Sequence, residues 1–171
     1  GQRIIHILTA RTPSGILYEV DMRLRPSGRS GTLVTGLAAF RDYQLQHAWT
    51  WEHQALVRAR PVAGSDVVAE GFARVRQEVL GLARDPEKLR VEVAAMRARM
   101  AAAQAPVEPG RIDLKHGRGG MIDIEFMVQY WVLCRAHAHP ALASKTDNIS
   151  ILEALGRAGL LEQERVRLLT D

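Results

Sequence analysis

Only one stretch of this chain alternates in the manner of a β-strand, and no other stretch offers it a partner. From Tyr18 to Arg25, the residues Tyr18, Val20, Met22 and Leu24 fall on one face and Glu19, Asp21, Arg23 and Arg25 on the other. A lone strand leaves its backbone N–H and C=O groups unpaired, so the rest of its sheet is expected upstream or on a neighbouring copy. After Pro26 every apolar pattern is helical. The expected fold class is mainly α, a small α/β remnant over residues 1–64 followed by a helical domain over 65–171 that is truncated at its end.

The helical reading rests on local signals. Ile4, Ile5, Ile7 and Leu8 have helical spacing between Arg3 and Arg11, and Thr12-Pro13-Ser14-Gly15 forms a turn before a strand from Ile16 to about Leu24. Helices are expected over Leu37–Ala48 and Trp49–Arg60, with Trp49 and Trp51 as core anchors. Ser65-Asp66 caps a helix to about Leu82 whose core face is Val68, Phe72, Val75 and Val79. Asp85-Pro86-Glu87 opens another that continues through Val91, Val93, Met96 and Met100 to about Ala103. Gln104–Gly110, with Pro106 and Pro109, reads as a linker, and Arg111–His116 as a short extended piece. Met121 to about Ala138 is the most apolar helix, Asp147-Asn148 caps the next, Gly159 ends it, and Glu162–Thr170 starts a last one.

Composition narrows the function classes. Twenty-three basic residues against 19 acidic ones, net +4, are mixed along the chain without a dense basic run, so nucleic acid is not an expected partner. No run of about 18 apolar residues spans a bilayer, and Gly1-Gln2-Arg3-Ile4-Ile5-His6 is not a signal peptide, so no membrane partner is expected and the expected location is cytoplasmic. The single cysteine, Cys134, sits among Trp131, Val132 and Leu133 and reads as a buried structural thiol; Cys134, His137 and His139 lack a well-spaced fourth ligand for zinc.

The polar face of the strand is where chemistry concentrates. A carboxylate and two guanidinium groups along one strand end suit a divalent metal and the polyphosphate it neutralises; a salt-bridged, solvated edge strand fits the same spacing. Glu19 lies about 7 Å along the strand from Asp21, which suits a supporting or ion-pairing group better than a shared ligand. Arg23 and Arg25 contact phosphate oxygens or hold the two acids in place. Further along, Lys115 and the Gly119-Gly120 pair precede the apolar helix, where backbone N–H groups and a cation suit an anion, although paired glycines before a helix also make plain tight turns. Asp123 and Glu125 complement the positive end of that helix, with Gln129 one turn on as a partner for Glu125.

Two blocks carry a family resemblance. Tyr18-Glu19-Val20-Asp21, Arg23-Leu24-Arg25-Pro26-Ser27-Gly28, Gly31, Leu33-Val34, Phe40, Tyr43-Gln44 and Trp49-Thr50-Trp51-Glu52-His53-Gln54-Ala55-Leu56-Val57-Arg58-Ala59-Arg60 form the first. Asp113-Leu114-Lys115, Gly119-Gly120, Asp123-Ile124-Glu125-Phe126 and Gln129-Tyr130 form the second. Together, over nearly the whole chain, they resemble glutamine synthetase adenylyltransferase, and the Trp-Thr-Trp-Glu-His run resembles its C-terminal, adenylylating half. The Lys, Gly-Gly, Asp series is also similar to that of the uridylyltransferases of nitrogen control.

The resemblance implies a polymerase-beta-like nucleotidyltransferase in which three carboxylates hold Mg²⁺, with Asp21 in the third position as catalytic metal ligand and ATP as substrate. Glu19, Arg23, Arg25 and Lys115 would serve the nucleotide phosphates or support Asp21, and Gly119, Gly120, Asp123 and Glu125 would lie near the active site. It implies transfer of AMP to a tyrosine of glutamine synthetase, which regulates nitrogen assimilation, with glutamine synthetase and the PII signalling protein as partners. The paired acids that follow a Gly-Ser turn in such enzymes are not found in residues 1–15, so the chain on its own is expected to be inactive. The alternative is a non-catalytic helical module that docks glutamine synthetase or PII.

Overall fold

The computed structural model describes residues 1–16, 18–104 and 110–171. These residues form two compact units, Gly1–Ala48 and Trp49–Asp171. The sequence division at 64 follows the Pro61 and Gly64 punctuation. In the structure the helix before that punctuation packs with the helices after it, so the break between units falls earlier.

The first unit opens with α1 (Gln2–Thr9). A two-residue hairpin follows, β1 (Arg11–Thr12) against β2 (Gly15–Ile16), with Arg11 opposite Ile16 and Thr12 opposite Gly15. Thr12 Oγ1 donates to the Gly15 carbonyl at 2.7 Å, and Gly15 takes φ 105°, a value that favours glycine. The expected strand to Leu24 is not formed: Tyr18–Met22 runs without ladder bonds and Arg23-Leu24 turns. Its alternation survives only in part, with Val20 and Met22 half-buried but Tyr18 and Leu24 open to solvent. Leu17 lies outside the described residues. Without a neighbouring strand the backbone groups gain nothing from a regular extended conformation. The unit closes with a 3₁₀ turn at Gly28–Ser30 and α2 (Leu37–Gln46). Among its described residues no apolar side chain is buried; Ile4, Ile7 and Ile16 are exposed.

The second unit holds the core. Its helices are α3 (Thr50–Arg58), α4 (Asp66–Leu80), α5 (Pro86–Ala102), α6 (Met121–Arg135), α7 (Asn148–Arg157) and α8 (Gln163–Thr170), with a 3₁₀ turn at Pro140–Ser144. The apolar α6 packs against α3, α5 and α7, and α7 against α8. Val57, Val79, Leu80, Val128, Val132, Leu133, Ile151, Leu152 and Leu155 are fully enclosed. Cys134 is buried among them as a free thiol.

Local signals account for the helix ends. Asp85 accepts from the N–H groups of Glu87 and Lys88 at 2.8 and 3.1 Å with Pro86 in the first turn, and Asp147 accepts from Ser150 N–H at 2.8 Å. Glu52 reaches back to the Trp49 N–H at 2.9 Å. Gly159 ends α7 with φ 67°. Ser65 stands at the N-cap of α4 without a side-chain bond.

Three of these apolar positions lie outside the core. Val68 is exposed because the buried stripe of α4 runs through Gly71, Val75 and Val79. Val91 is exposed because α5 buries Leu89 and Val93, and a residue two places from Leu89 lies on the opposite side of the helix. Trp49 is 70% exposed. It precedes α3 rather than lying on its buried face, and with half-buried Trp51 it lines a groove of about 260 Å³ closed by Val91, Ala95 and Met96 of α5. Residues 105–109, most of the expected linker, lie outside the described residues, and Arg111–His116 forms an irregular turn instead of an extended piece.

Candidate functional site

In the first unit Asp21 is exposed and held by its neighbour. Arg23 Nε donates to both carboxylate oxygens at 3.0 Å, Arg23 Nη2 to Oδ2 at 2.7 Å, and the Arg23 N–H to Oδ1 at 2.9 Å. The hydrogen bonds and charge of Asp21 raise the pKa of Arg23 further above its already high value. Arg25 bonds to backbone carbonyls. Its Nη1 donates to the Met22 carbonyl at 2.8 Å and its Nε and Nη2 to the Gly31 carbonyl at 3.3 Å, closing the loop that carries Asp21. Arg23 is thus bound to the Asp21 carboxylate and Arg25 to the backbone of the same loop. Glu19, Asp21 and Arg23 line one concavity of about 490 Å³.

A Mg²⁺ ion takes six oxygens at near-octahedral angles. Asp21 suits one such position, being exposed, anionic and fixed by Arg23. Among the described residues no three His, Cys, Asp or Glu side chains gather as a metal site, so the donors present do not make a complete one.

In the second unit the Gly119-Gly120 turn is organised around acids of the chain itself. Asp113 Oδ1 accepts from the Lys115 and His116 N–H groups at 2.8 Å each, and Oδ2 lies 3.2 Å from His116 Nδ1. The His116 N–H is the main reason the Asp113 carboxyl is held below the usual carboxylate range. Asp123 accepts from the Gly119 N–H at 2.6 Å and from Arg97 Nε of α5, and Arg97 Nη2 donates to the His116 carbonyl at 2.8 Å. Burial pushes Asp123 upward, but the Gly119 N–H and Arg97 outweigh it and its pKa is lowered. The turn therefore already cradles an anion, the Asp123 carboxylate.

Gly119 takes φ 77° with open space around it, whereas a Cβ on Gly120 would lie 2.6 Å from the Leu114 carbonyl oxygen. Lys115 is exposed, and its ammonium has no partner among the described residues. Glu125 pairs with Arg58 Nη1 of α3. Gln129 does not pair with Glu125; buried Gln54 Nε2 of α3 donates to its Oε1 at 3.0 Å. The sequence carries no sign of Arg97–Asp123, Arg58–Glu125 or Gln54–Gln129, because each joins different helices.

Comparison with known proteins follows the two blocks. Residues 1–75 match the family described as Glutamate-ammonia ligase adenylyltransferase, and residues 87–171 match GlnD PII-uridylyltransferase. The whole chain aligns at 59% identity with a bifunctional glutamine synthetase adenylyltransferase/adenylyl-removing enzyme of Thioalkalivibrio sulfidiphilus. It aligns likewise at 60% identity with the protein of that description from Nitrosococcus oceani and at 57% with that from Pseudomonas aeruginosa. Over its whole length the chain is similar to glutamine synthetase adenylyltransferases. It spans 18% of the first two relatives and 19% of the third. The second match covers Lys115, Gly119, Gly120, Asp123 and Glu125, so the turn around Asp123 lies in the region shared with uridylyltransferases.

Proposed function

We propose that these 171 residues are the part of a glutamine synthetase adenylyltransferase that supplies one catalytic carboxylate, Asp21, and the beginning of the adjoining helical domain. The alignment of all 171 residues with 18% of the length of two adenylyltransferases carries this reading. The parent enzyme, through its C-terminal half, would transfer AMP from ATP to a tyrosine hydroxyl of glutamine synthetase in the cytoplasm, under control of the PII protein. Mg²⁺ would supply charge neutralisation of the triphosphate. Asp21 would be one of its ligands, the remaining carboxylates coming from residues outside 1–171. Arg23 would hold the Asp21 carboxylate in a single orientation, Glu19 would add negative charge to the same concavity, and Lys115 would offer a free cation to a phosphate. Asp123 and Glu125, bound to Arg97 and Arg58, would keep the Lys115 loop and α3 in place.

The test uses the complete enzyme. Asp21→Asn should lower AMP incorporation by several orders of magnitude with little change in melting temperature, and Glu19→Gln should cost less. Near-normal transfer by Asp21→Asn would reject the metal-ligand role. Purified residues 1–171 should incorporate no label from ATP above background.

The second reading is a helical docking module for glutamine synthetase or PII without turnover of its own. The second unit favours it, because it holds its own apolar core. Saturable binding of either protein to residues 49–171 with no dependence on ATP or Mg²⁺ in the complete enzyme would favour that module.

A further inference from the structure

Arg76 of α4 is 5% exposed, yet its hydrogen-bond acceptors are all neutral. Nε donates to the Leu56 carbonyl at 2.9 Å, Nη1 to the Ala143 carbonyl, and Nη2 to the carbonyls of Val57 and, at 2.8 Å, Lys145. A buried cation needs a counter-charge to offset its lost hydration, and carbonyl dipoles compensate it only in part. Burial accordingly lowers the Arg76 pKa. Arg76 also forms the floor of a cavity of about 190 Å³. At its rim stand Arg60 from the segment after α3, Gln77 from α4, and Ser144 and Thr146 from the turn before α7. The Ser144 hydroxyl already donates to the Ala141 carbonyl at 2.8 Å. The Arg60 guanidinium, the Gln77 amide and the Thr146 hydroxyl have no partner among the described residues.

Two cations and two neutral donors around one cavity, with no acid among its lining residues, form a site for an anion. The donors come from three separate segments rather than one plane, which suits the tetrahedral oxygens of phosphate better than a flat carboxylate. We propose that this cavity of the helical unit binds a phosphate group, seated between Arg60, Gln77 and Thr146 above the buried charge of Arg76. Phosphate of this kind reaches the site as the free ion or as the monoester of a nucleotide.

The experiment is a titration of the ¹⁵N-labelled 171-residue chain with sodium phosphate at constant ionic strength, with parallel titrations by AMP and by acetate. Saturable shifts are expected at the Thr146 amide and the Gln77 side-chain NH₂. Arg60→Gln should weaken binding about tenfold, as loss of one charge-assisted hydrogen bond does. Thr146→Val should weaken it by a smaller factor, and both variants alter exposed or half-buried groups that the core does not need. AMP at least as tight as phosphate would identify a nucleotide as the source; phosphate binding with AMP excluded would identify the free ion. Linear, unsaturating shifts, unchanged affinity in Arg60→Gln, or acetate binding as tightly as phosphate would overturn the proposal.

Discussion

Replacing Arg76 by Met tests what holds the end of α3 to the turn before α7. Arg76 bonds both segments, through Leu56 and Val57 on one side and Ala143 and Lys145 on the other. The four acceptors do not weigh equally. The Leu56 carbonyl keeps a bond from the Ala59 N–H at 3.2 Å, and Lys145 is exposed, so water replaces the arginine there. Val57 and Ala143 are buried, and their carbonyls would be left unpaired at about 1–3 kcal/mol each. Met fills a similar volume and removes a buried charge, which returns part of that loss. The expected net destabilisation is roughly 2–4 kcal/mol, equivalent to a fall in melting temperature of roughly 10 °C. Arg76→Lys keeps the charge but lacks the fork that spans two segments, and should lose about half as much. Urea denaturation followed by far-ultraviolet circular dichroism measures both. A loss below about 1 kcal/mol in Arg76→Met, or a lysine variant as stable as the native chain, would refute the view that the guanidinium geometry ties these segments together.

In the Lys115–Asp123 turn, Gly119→Ala should cost about 1 kcal/mol, since only its left-handed φ resists a side chain. Gly120→Ala should cost more, roughly 2–3 kcal/mol, because its Cβ meets the Leu114 carbonyl that pairs with the Met121 N–H; equal melting temperatures for the two variants would contradict this. Asp113, Asp123 and Asp147 all have lowered pKa values in the folded chain. Their stabilising contribution is therefore complete above the unfolded value of about 3.9 and lost as pH falls through the lower folded values. Urea midpoints should hold steady from pH 7 to 5 as far as these groups are concerned and drop below about pH 4. Asp123→Asn should flatten that acid limb, and an acid limb as steep as the native one in Asp113→Asn and Asp123→Asn alike would count against the assigned bonds.

The helices were legible because their signals are local. Asp85 with Pro86, Asp147 and Gly159 mark ends that the backbone meets within a few residues, and α6 is apolar over nearly its whole length. Burial was legible only where the spacing matched the true contact face. Val91 looked as apolar as Val93 in sequence, yet only Val93 points at the core, because the face of α5 is chosen by what packs on it. The strand from Ile16 to Leu24 failed for the opposite reason: alternation places side chains on two faces but supplies no hydrogen-bonding neighbour, and the ladder stops at β2.

The candidate site divides along the same line. Asp21 and Arg23 are two residues apart, so their pairing lies within reach of the sequence, as do the Asp113 contacts with the next turn. The bonds of Arg97 to Asp123, Arg58 to Glu125, Gln54 to Gln129 and Arg76 to Ala143 span 26, 67, 75 and 67 residues. Any of the chain's many arginines satisfies the same compositional rule, and only the crossing of α3, α4 and α5 over α6 and the turn before α7 selects these. Thus the sequence alone determined a mainly helical chain and its likeness to the glutamine synthetase adenylyltransferases. The tertiary structure decided which acids are already neutralised by arginines and which cations remain for a ligand, because charges far apart along a chain interact only once packing has brought them within a few ångströms.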